Sequence, residues 1–306
     1  MSGTMPLNTV SGKYFDTFNT ISSPSDQKIL QEAMDHCRYY NDLLSKTVPG
    51  SDVWNCNHAN GNPVEVSEHT ARILSLALEM HRNSGGAFNI AIGEAIGMWH
   101  FTDGTAILPD PDRLAAAVAK ADCSKIKLEG KTVTLPPDLQ IDLGGIAKGY
   151  IADRIADELR EAGVRHALLN FGGNVVTVGT RPDGNPWTIG LQTPGGERQK
   201  AFWAFVPSAD GTLVTSGVYE RSFMKDGILY HHILDPRTGW PVQNDILTVT
   251  AIAKDSLLAD AITTALFVLG PDPGFQLASH YGVQCVYLRR GGKVSYTPGL
   301  DITFVK

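Results

Sequence analysis

Short predicted strands separated by Asp-Gly pairs fill the middle of this 306-residue chain and constrain its fold more than any other feature. Asp-Gly favours tight turns between antiparallel strands, and it occurs at 183–184, 210–211 and 226–227. Apolar residues at helical spacing predict helices in other parts of the chain, but strands and helices do not alternate regularly. The pattern therefore predicts an α+β fold with mixed or antiparallel sheets flanked by helices, rather than a doubly wound parallel sheet.

The domain organisation follows from composition. Hydrophobic residues make up 42% of the chain and charged residues 19%, which is typical of a globular protein. No repeat or low-complexity linker divides the sequence. We therefore expect one compact domain over residues 13–306, preceded by a disordered arm over residues 1–12. Two lobes with a site between them are the alternative arrangement. The first strand is predicted over residues 12–21.

Charge and hydropathy exclude several classes of function. The net charge is −6 and no run of Lys and Arg is present, so neither nucleic-acid binding nor binding to an anionic membrane is expected. No stretch of about 18 apolar residues predicts a membrane span. The first ten residues do not resemble a secretion signal, which predicts a cytoplasmic protein. Export or lipid anchoring with a removed leader is the alternative. The four scattered cysteines predict buried free thiols.

The most informative motif is residues 141–150, whose sequence is Ile-Asp-Leu-Gly-Gly-Ile-Ala-Lys-Gly-Tyr. Paired glycines at the start of a predicted helix let a ligand approach the backbone closely. Exposed N–H groups and the positive end of the helix dipole favour a phosphate there. Lys148 adds a mobile positive charge. A tight strand-to-helix turn without any ligand explains the same residues equally well.

A second candidate lies on the predicted helix at about 256–269. Asp260 and Thr264 are four residues apart and share one face of this helix. A carboxylate and a hydroxyl one turn apart are hard oxygen ligands that suit Mg²⁺. The alternative is that Asp260 interacts with the helix dipole and that Thr264 bonds back to the helix. Because the surrounding residues look buried, Asp260 needs a partner.

Two adjacent histidines form a third candidate. His231 and His232 end a predicted strand before the turn 235–239, Asp-Pro-Arg-Thr-Gly. Histidine accepts protons near neutral pH, and only one of two successive strand residues faces a given pocket. The alternative is a structural histidine beside an ordinary turn.

Two further segments have weaker patterns. Residues 84–93 are an apolar stretch flanked by glycines that fits either a wall for a flat ligand or the protein core. Residues 215–221 bring small residues to a charged pair, Glu220 and Arg221, which also fits a plain surface.

Together these segments resemble the ApbE family of flavin transferases, also called FAD:protein FMN transferases. The matching segments occur in the family's order from about Tyr14 to about Gly270. They are Phe15–Thr17, Ser51–Asn57, Gly86–Phe88, Asp142–Gly149, Asn170–Gly173, Thr215–Gly217, His232–Gly239, and Ala259–Ala261 with Thr264.

The resemblance implies an activity. Members of this family bind FAD and Mg²⁺ and transfer the FMN half of FAD to a Thr or Ser hydroxyl of an acceptor protein. The products are a phosphoester and AMP. Some members hydrolyse FAD to FMN and AMP instead, and a non-catalytic FAD-binding protein is a third possibility. The expected partners are FAD and an acceptor protein that carries a Thr or Ser flavinylation motif.

The resemblance also implies a role for particular residues. It assigns Mg²⁺ to the side chains of Asp260 and Thr264 and to the backbone carbonyl of Ala147. His232 would take the proton from the acceptor hydroxyl. The FAD site would be lined by Asn57, Ala87, Phe88, Asn89, Asp142 and Lys148, and bordered by Thr215, Ser216 and Gly217.

The sequence departs from the family's usual pattern at three positions. Asn89 stands where Asp is usual, Ala91 where Thr is frequent, and Asn174 where Asp is common. Asn89 keeps hydrogen-bonding capacity but carries no charge. These departures affect the expected flavin contacts and leave the metal ligands and the base unchanged.

Overall fold

Sixteen strands and eight α-helices are assigned in the computed structural model, which describes residues 6–101, 104–197 and 200–305. The strands are β1 (Asn8–Tyr14), β2 (Thr17–Ser23), β3 (Val64–Glu65), β4 (Lys127–Glu129), β5 (Thr132–Thr134), β6 (Ala167–Phe171), β7 (Asn174–Val178), β8 (Trp187–Gln192), β9 (Phe202–Ser208), β10 (Thr212–Gly217), β11 (Ser222–Lys225), β12 (Ile228–His231), β13 (Ile246–Ala253), β14 (Gln284–Arg289), β15 (Lys293–Tyr296) and β16 (Thr303–Phe304). The helices are α1 (Gln27–Leu43), α2 (Asp52–His58), α3 (Glu68–Asn83), α4 (Gly93–Gly97), α5 (Pro111–Lys120), α6 (Ala147–Glu161), α7 (Ser256–Leu269) and α8 (Pro271–His280).

The centre of the fold is an eight-stranded sheet in the order β1-β2-β6-β7-β10-β13-β14-β15. All of its neighbouring strands pair antiparallel. Three smaller sheets accompany it: β16-β9-β8, β3-β5-β4 and the hairpin β11-β12. The predicted α+β class with antiparallel sheets is confirmed.

Both faces of the central sheet are covered. Successive residues of β10 point to opposite faces, so Val214 joins the main core under α1, α6 and α7, whereas Leu213 joins a second core. The second core fills the space towards the sheet β16-β9-β8. Helix α7 packs against α6, β10 and β13. Because ten of its residues are buried, α7 is a core helix, and any polar side chain on it requires a partner.

The N-terminal expectations are partly wrong. Residues 12–21 form a hairpin, β1 and β2, rather than one strand. The turn is made by Phe15 and Asp16, which both have positive φ. The disordered arm predicted over 1–12 is wrong for residues 8–12, because the backbone of β1 is paired with β2. Residues 1–5 lie outside the described part of the chain.

Candidate functional site

A cavity of about 630 Å³ opens beside the N-terminal turn of α6 and the inner face of α7. Its volume lies in the usual range for small-molecule sites. Its walls come from segments that are far apart in the sequence, from the β1–β2 turn to α7. The predicted site residues that line it are Ala87, Phe88, Asn89, Asp142, Ala147, Lys148, Thr215, Ser216, Gly217, His232, Asp260 and Thr264.

Asn57 is not among the residues that line the cavity, and its contact with FAD stays a prediction. Its amide bonds both backbone groups of one residue: Nδ2 donates to the Ile141 carbonyl at 3.0 Å, and Oδ1 accepts from the Ile141 N–H at 2.8 Å. The next residue, Asp142, donates its N–H to the Ile90 carbonyl at 2.8 Å. Asn57 therefore fixes the backbone that presents Asp142 to the cavity.

Three backbone N–H groups at the turn before α6 and in its first turn have partners within the protein. The N–H of Gly144 donates to Asp142 Oδ1 at 2.7 Å, and that of Ala147 donates to the Leu143 carbonyl at 2.8 Å. The N–H of Gly149 donates to Asp260 Oδ2 at 2.9 Å. These three donors have partners within the protein and are not exposed for a phosphate, whereas phosphate binding elsewhere at this turn stays a prediction.

Gly149 serves helix packing. A Cβ at this position would lie 2.0 Å from the Ser256 carbonyl oxygen and 2.7 Å from Asp260 Cβ. Only a residue without a side chain therefore lets α6 approach α7 this closely. This approach brings the start of α6 against the carboxylate of Asp260.

Two oxygens on successive turns of α7 form the candidate metal site. Asp260 is only 4% exposed, and its Oδ2 accepts the hydrogen bond from Gly149. Within the described ranges, no hydrogen bond reaches Asp260 Oδ1 or Thr264 Oγ1. Both residues line the cavity, and the Cα of Gly145 lies so close that a Cβ there would be 3.5 Å from Thr264 Oγ1. Two hard oxygens without protein donors at a cavity wall fit a divalent cation such as Mg²⁺.

The described residues contain no group of three or more His, Cys, Asp or Glu side chains that would hold a metal. A cation at Asp260 would therefore need further oxygens from the backbone and from a bound ligand. Ala147, the first residue of α6, lines the cavity on the same side. This ligand set resembles the usual situation of Mg²⁺, which takes one or two carboxylates plus substrate phosphates.

Lys148 is held in place rather than mobile, contrary to the expectation. Its side chain is 16% exposed, and its Nζ donates to the Gly144 carbonyl at 3.1 Å. The same Nζ lies 3.8 Å from Asp260 Oδ2. A fixed ammonium group here provides positive potential at the candidate metal site without changing its geometry.

The two histidines diverge as the strand geometry predicts. His231 is buried, its ring lies edge-on to Phe267, and its Nε2 is 3.1 Å from the Val242 carbonyl. His232 lines the cavity, and its Nδ1 lies 3.3 Å from the carbonyl of Arg221. If Nδ1 carries the proton donated to that carbonyl, Nε2 is the free base.

Burial lowers the pKa of His232 to about 3, and the nearby positive charges of Arg221 and Lys148 act in the same direction. His232 is therefore neutral at physiological pH and able to accept a proton. Burial also lowers the pKa of His231, to about 4.

The sequence interpretation missed two cations of the site. Lys46 lies 2.6 Å from Asp142 Oδ2, and both residues line the cavity. Arg221, which the sequence offered with Glu220 as a charged pair without an assigned role, also lines it and makes no ion pair with the described residues. No local pattern marks Lys46, because its partner is almost a hundred residues away. The available signal for Arg221 was the charged pair that it forms with Glu220 shortly after the small-residue segment 215–217.

Asn89 has a structural reason to be an amide. Its Oδ1 accepts the N–H of Ala91 at 2.8 Å, and its Nδ2 donates to the Ala121 carbonyl at 2.8 Å. A carboxylate in this position could make only the first of these bonds.

The sequence profile of the ApbE family matches residues 10–287. The chain belongs to the ApbE family. A curated ApbE relative from Klebsiella pneumoniae, named FAD:protein FMN transferase, is 38% identical over 81% of this chain and 78% of its own length. Another from Treponema pallidum with the same name is 36% identical over 81% of this chain and 68% of its own length.

Solved ApbE structures have the same fold. The ApbE protein of Thermotoga maritima has a TM-score of 0.86 and 27% identity, covering 95% of this chain and 97% of its own. The flavin transferase ApbE of Vibrio cholerae has a TM-score of 0.85 and 27% identity, covering 96% and 98%. The predicted family and the single-domain ApbE-like fold are both confirmed.

Proposed function

We propose that this chain transfers the FMN half of FAD to a Thr or Ser hydroxyl of an acceptor protein, with Mg²⁺ bound, and releases AMP. A transferase activity follows from the family and from the names of its curated relatives. One observation carries the finer proposal: His232 and the oxygen pair of Asp260 and Thr264 line the same cavity. A proton acceptor and metal ligands can therefore act on one bound dinucleotide.

The metal would be held by Asp260 Oδ1, Thr264 Oγ1 and the carbonyl of Ala147. When bound, Mg²⁺ supplies charge neutralisation for the pyrophosphate and stabilises the departing phosphate. The side chains of this chain add to that effect. Lys148 is fixed beside Asp260, and Arg221 provides a cation on the same cavity wall as His232.

The transfer step needs a base because an alcohol is a weak nucleophile at neutral pH. The acceptor oxygen bonds to the phosphorus on the FMN side, and the bond from that phosphorus to the oxygen of the AMP phosphate breaks. AMP leaves with the electron pair, and His232 takes the hydroxyl proton. A positioned base of this kind contributes typically ~10²–10⁴-fold in rate.

The rest of the cavity would bind and orient FAD. Ala87, Phe88 and Asn89 form one wall, and Thr215, Ser216 and Gly217 border the cavity from β10. Asp142 is held by Lys46 and by the Gly144 N–H, which gives the FAD site a fixed carboxylate. Asn57 supports this site through its two hydrogen bonds to the backbone of Ile141.

The test uses the purified chain, FAD, Mg²⁺ and a pool of 12-residue peptides with one fixed central Thr and no Ser. Mass spectrometry should find peptides that have gained FMN less one water, with one AMP released for each. The His232→Ala variant should bind FAD but lose transfer, whereas His280→Ala, which changes an exposed histidine, should transfer normally. Chelation of divalent cations should abolish transfer.

The other outcomes contradict the proposal in distinguishable ways. Release of FMN and AMP without modified peptide would indicate an FAD pyrophosphatase that uses water as acceptor. Intact FAD after incubation would indicate a flavin-binding protein without catalysis. Full transfer by His232→Ala would remove the assignment of the base.

A further inference from the structure

The hairpin β11–β12 is attached to the catalytic cavity at both of its ends. Its chain leaves the cavity wall after Glu220 and Arg221 and returns to it at His232. The two strands form a sheet of their own and are not paired with the central sheet. A two-stranded sheet leaves half of the backbone groups of each strand without a partner in the sheet, and a third strand would pair with those on one edge.

The hydrogen-bond pattern identifies which backbone groups of the hairpin point outward. The His232 N–H donates to the Arg221 carbonyl at 3.1 Å, so these two residues face each other. Alternation along antiparallel strands then places the backbone groups of Ser222 and Met224 on the outer edge of β11. Those of Leu229 and His231 lie on the outer edge of β12.

Only one of these edges is open beside the cavity. The segment that follows β12 already has a backbone partner, because the Ile233 carbonyl accepts a hydrogen bond from the Val242 N–H at 3.0 Å. For Ser222 and Met224, no backbone bond to another segment is present in the ranges that the structure describes. An unpaired strand edge is a template for an extended peptide.

The side chains along this edge also suit a polypeptide. Met224 is 59% exposed, and Ile228 at the turn is 48% exposed. The rings of Phe223 and Tyr230 stack across the hairpin at 5.5 Å, on the face that also carries Arg221 and His232. This face packs against Trp99 and Phe101, so the exposed apolar side chains that the hairpin offers to an acceptor are those of Met224 and Ile228.

We propose that the outer edge of β11 binds an extended segment of the acceptor protein as a third strand. The backbone groups of Ser222 and Met224 hold this segment in register, and the residue that follows the paired part passes Arg221 and brings its hydroxyl into the cavity. This inference rests on the proposed transferase function. It adds that the acceptor is recognised through its main chain, with apolar side chains on the hairpin giving further contact.

The enzyme-side test is Met224→Pro, since proline removes the outward N–H and is tolerated on an edge strand. Met224→Ala is the matched control, because it removes the side chain and keeps the N–H. The probe is the peptide most efficiently modified in the pool described above. Met224→Pro should lower kcat/KM for this peptide by about tenfold or more, as expected for about 1.4 kcal/mol of lost main-chain bonding. The affinity for FAD should not change, and Met224→Ala should lower kcat/KM for the peptide much less than Met224→Pro does.

A second test leaves the enzyme unchanged. Single N-methylation is scanned along the peptide backbone, and transfer should fall at every second position, because alternate amides of an added strand face β11. Hydrogen exchange of residues 222–225 should slow when the peptide binds. If N-methylation lowers transfer equally at all positions, or at none of them, the inference is wrong. This result does not depend on whether Met224→Pro disturbs folding.

The remaining outcomes separate this inference from the function on which it rests. If wild type modifies no peptide, the transferase proposal fails first. If wild type transfers and Met224→Pro is equally active, only the edge proposal fails. If Met224→Pro converts a dimer to a monomer in sedimentation, the edge binds a second copy of this chain, which also contradicts the inference.

Discussion

His232 is neutral over the pH range in which an ordinary histidine titrates, because burial lowers its pKa to about 3. Protonation of the base in the free enzyme should therefore not reduce kcat/KM for FAD between pH 8 and about 5. The nearby charge of Arg221 contributes to the lowered pKa, so Arg221→Gln should move the acid limb of the profile to higher pH. The check is a pH–rate profile of both proteins, and a wild-type limb with a midpoint near 6.5 would contradict this account.

Asn89→Asp should destabilise this chain, although Asp is the residue that the family resemblance leads us to expect at this position. The change removes the donor to the Ala121 carbonyl and places a carboxylate against that oxygen. The expected cost in unfolding free energy is about 1–3 kcal/mol. Asn62→Asp is the control, because Asn62 makes a similar bond to Ala59 at the exposed surface. Equal stability of both variants in urea unfolding would refute the role of the Asn89 amide.

Among the secondary-structure elements, the contact between α6 and α7 holds the candidate metal site together. Gly149→Ala would drive a Cβ into the Ser256 carbonyl, so the helices must separate. The expected loss of unfolding free energy is about 1–3 kcal/mol, greater than the roughly 1 kcal/mol that Ala contributes as a helix former. Gly97→Ala is the control, since a Cβ there meets nothing within 4 Å. Chemical unfolding of both variants tests this, and a Gly149→Ala protein as stable as wild type would contradict it.

The N-terminus of α7 makes stability depend on pH. Asp153 caps it from α6, accepting from the N–H groups of Ser256 and Leu257. Burial, followed by the charge of Asp255, raises the pKa of Asp153 to about 7. Because the folded state then binds the proton more tightly than the unfolded state, this stabilising contribution is complete below about pH 4 and is lost as pH rises to about 7.

Asp255→Asn should reduce that dependence while keeping the cap of Leu258 N–H, since Asn caps helices as well as Asp does. Removing the neighbouring charge lowers the pKa of Asp153. Between pH 5 and 7 the variant should therefore lose less unfolding free energy than wild type, by about 1 kcal/mol. Urea unfolding at pH 5, 6 and 7 measures the difference, and parallel curves for the two proteins would contradict the coupling.

Local patterns predicted the elements well where local chemistry determines them. The helix predicted at about 256–269 is α7, Ser256–Leu269, and it ends at Gly270, as the positive φ of this glycine permits. The prediction failed at residues 12–21, because Phe15 and Asp16 adopt positive φ without a glycine to signal the turn. Helix α2 was missed, since seven residues are too few to show helical spacing.

At the scale of the whole molecule, the cavity depends on contacts that no local pattern contains. The motif residues could be proposed as site residues from the sequence, because the residue types within each motif indicate a chemical role. The sequence did not predict the Lys46–Asp142 ion pair or the Asn57 amide that holds Ile141, since these contacts join segments about 84–96 residues apart.

Among the helices of the described residues, none has both the length and the apolar composition that a membrane span requires.

In the proposed function, Asp260 and Thr264 hold a divalent cation against the pyrophosphate of FAD. Anomalous diffraction from crystals grown with FAD and Mn²⁺ tests it most directly, because Mn²⁺ replaces Mg²⁺ at oxygen sites and is located by its own signal. We expect an anomalous peak at coordination distance from Asp260 Oδ1 and Thr264 Oγ1, and we expect this peak to be absent in Asp260→Ala. FAD bound in the cavity with the peak elsewhere, or with no peak, would contradict it.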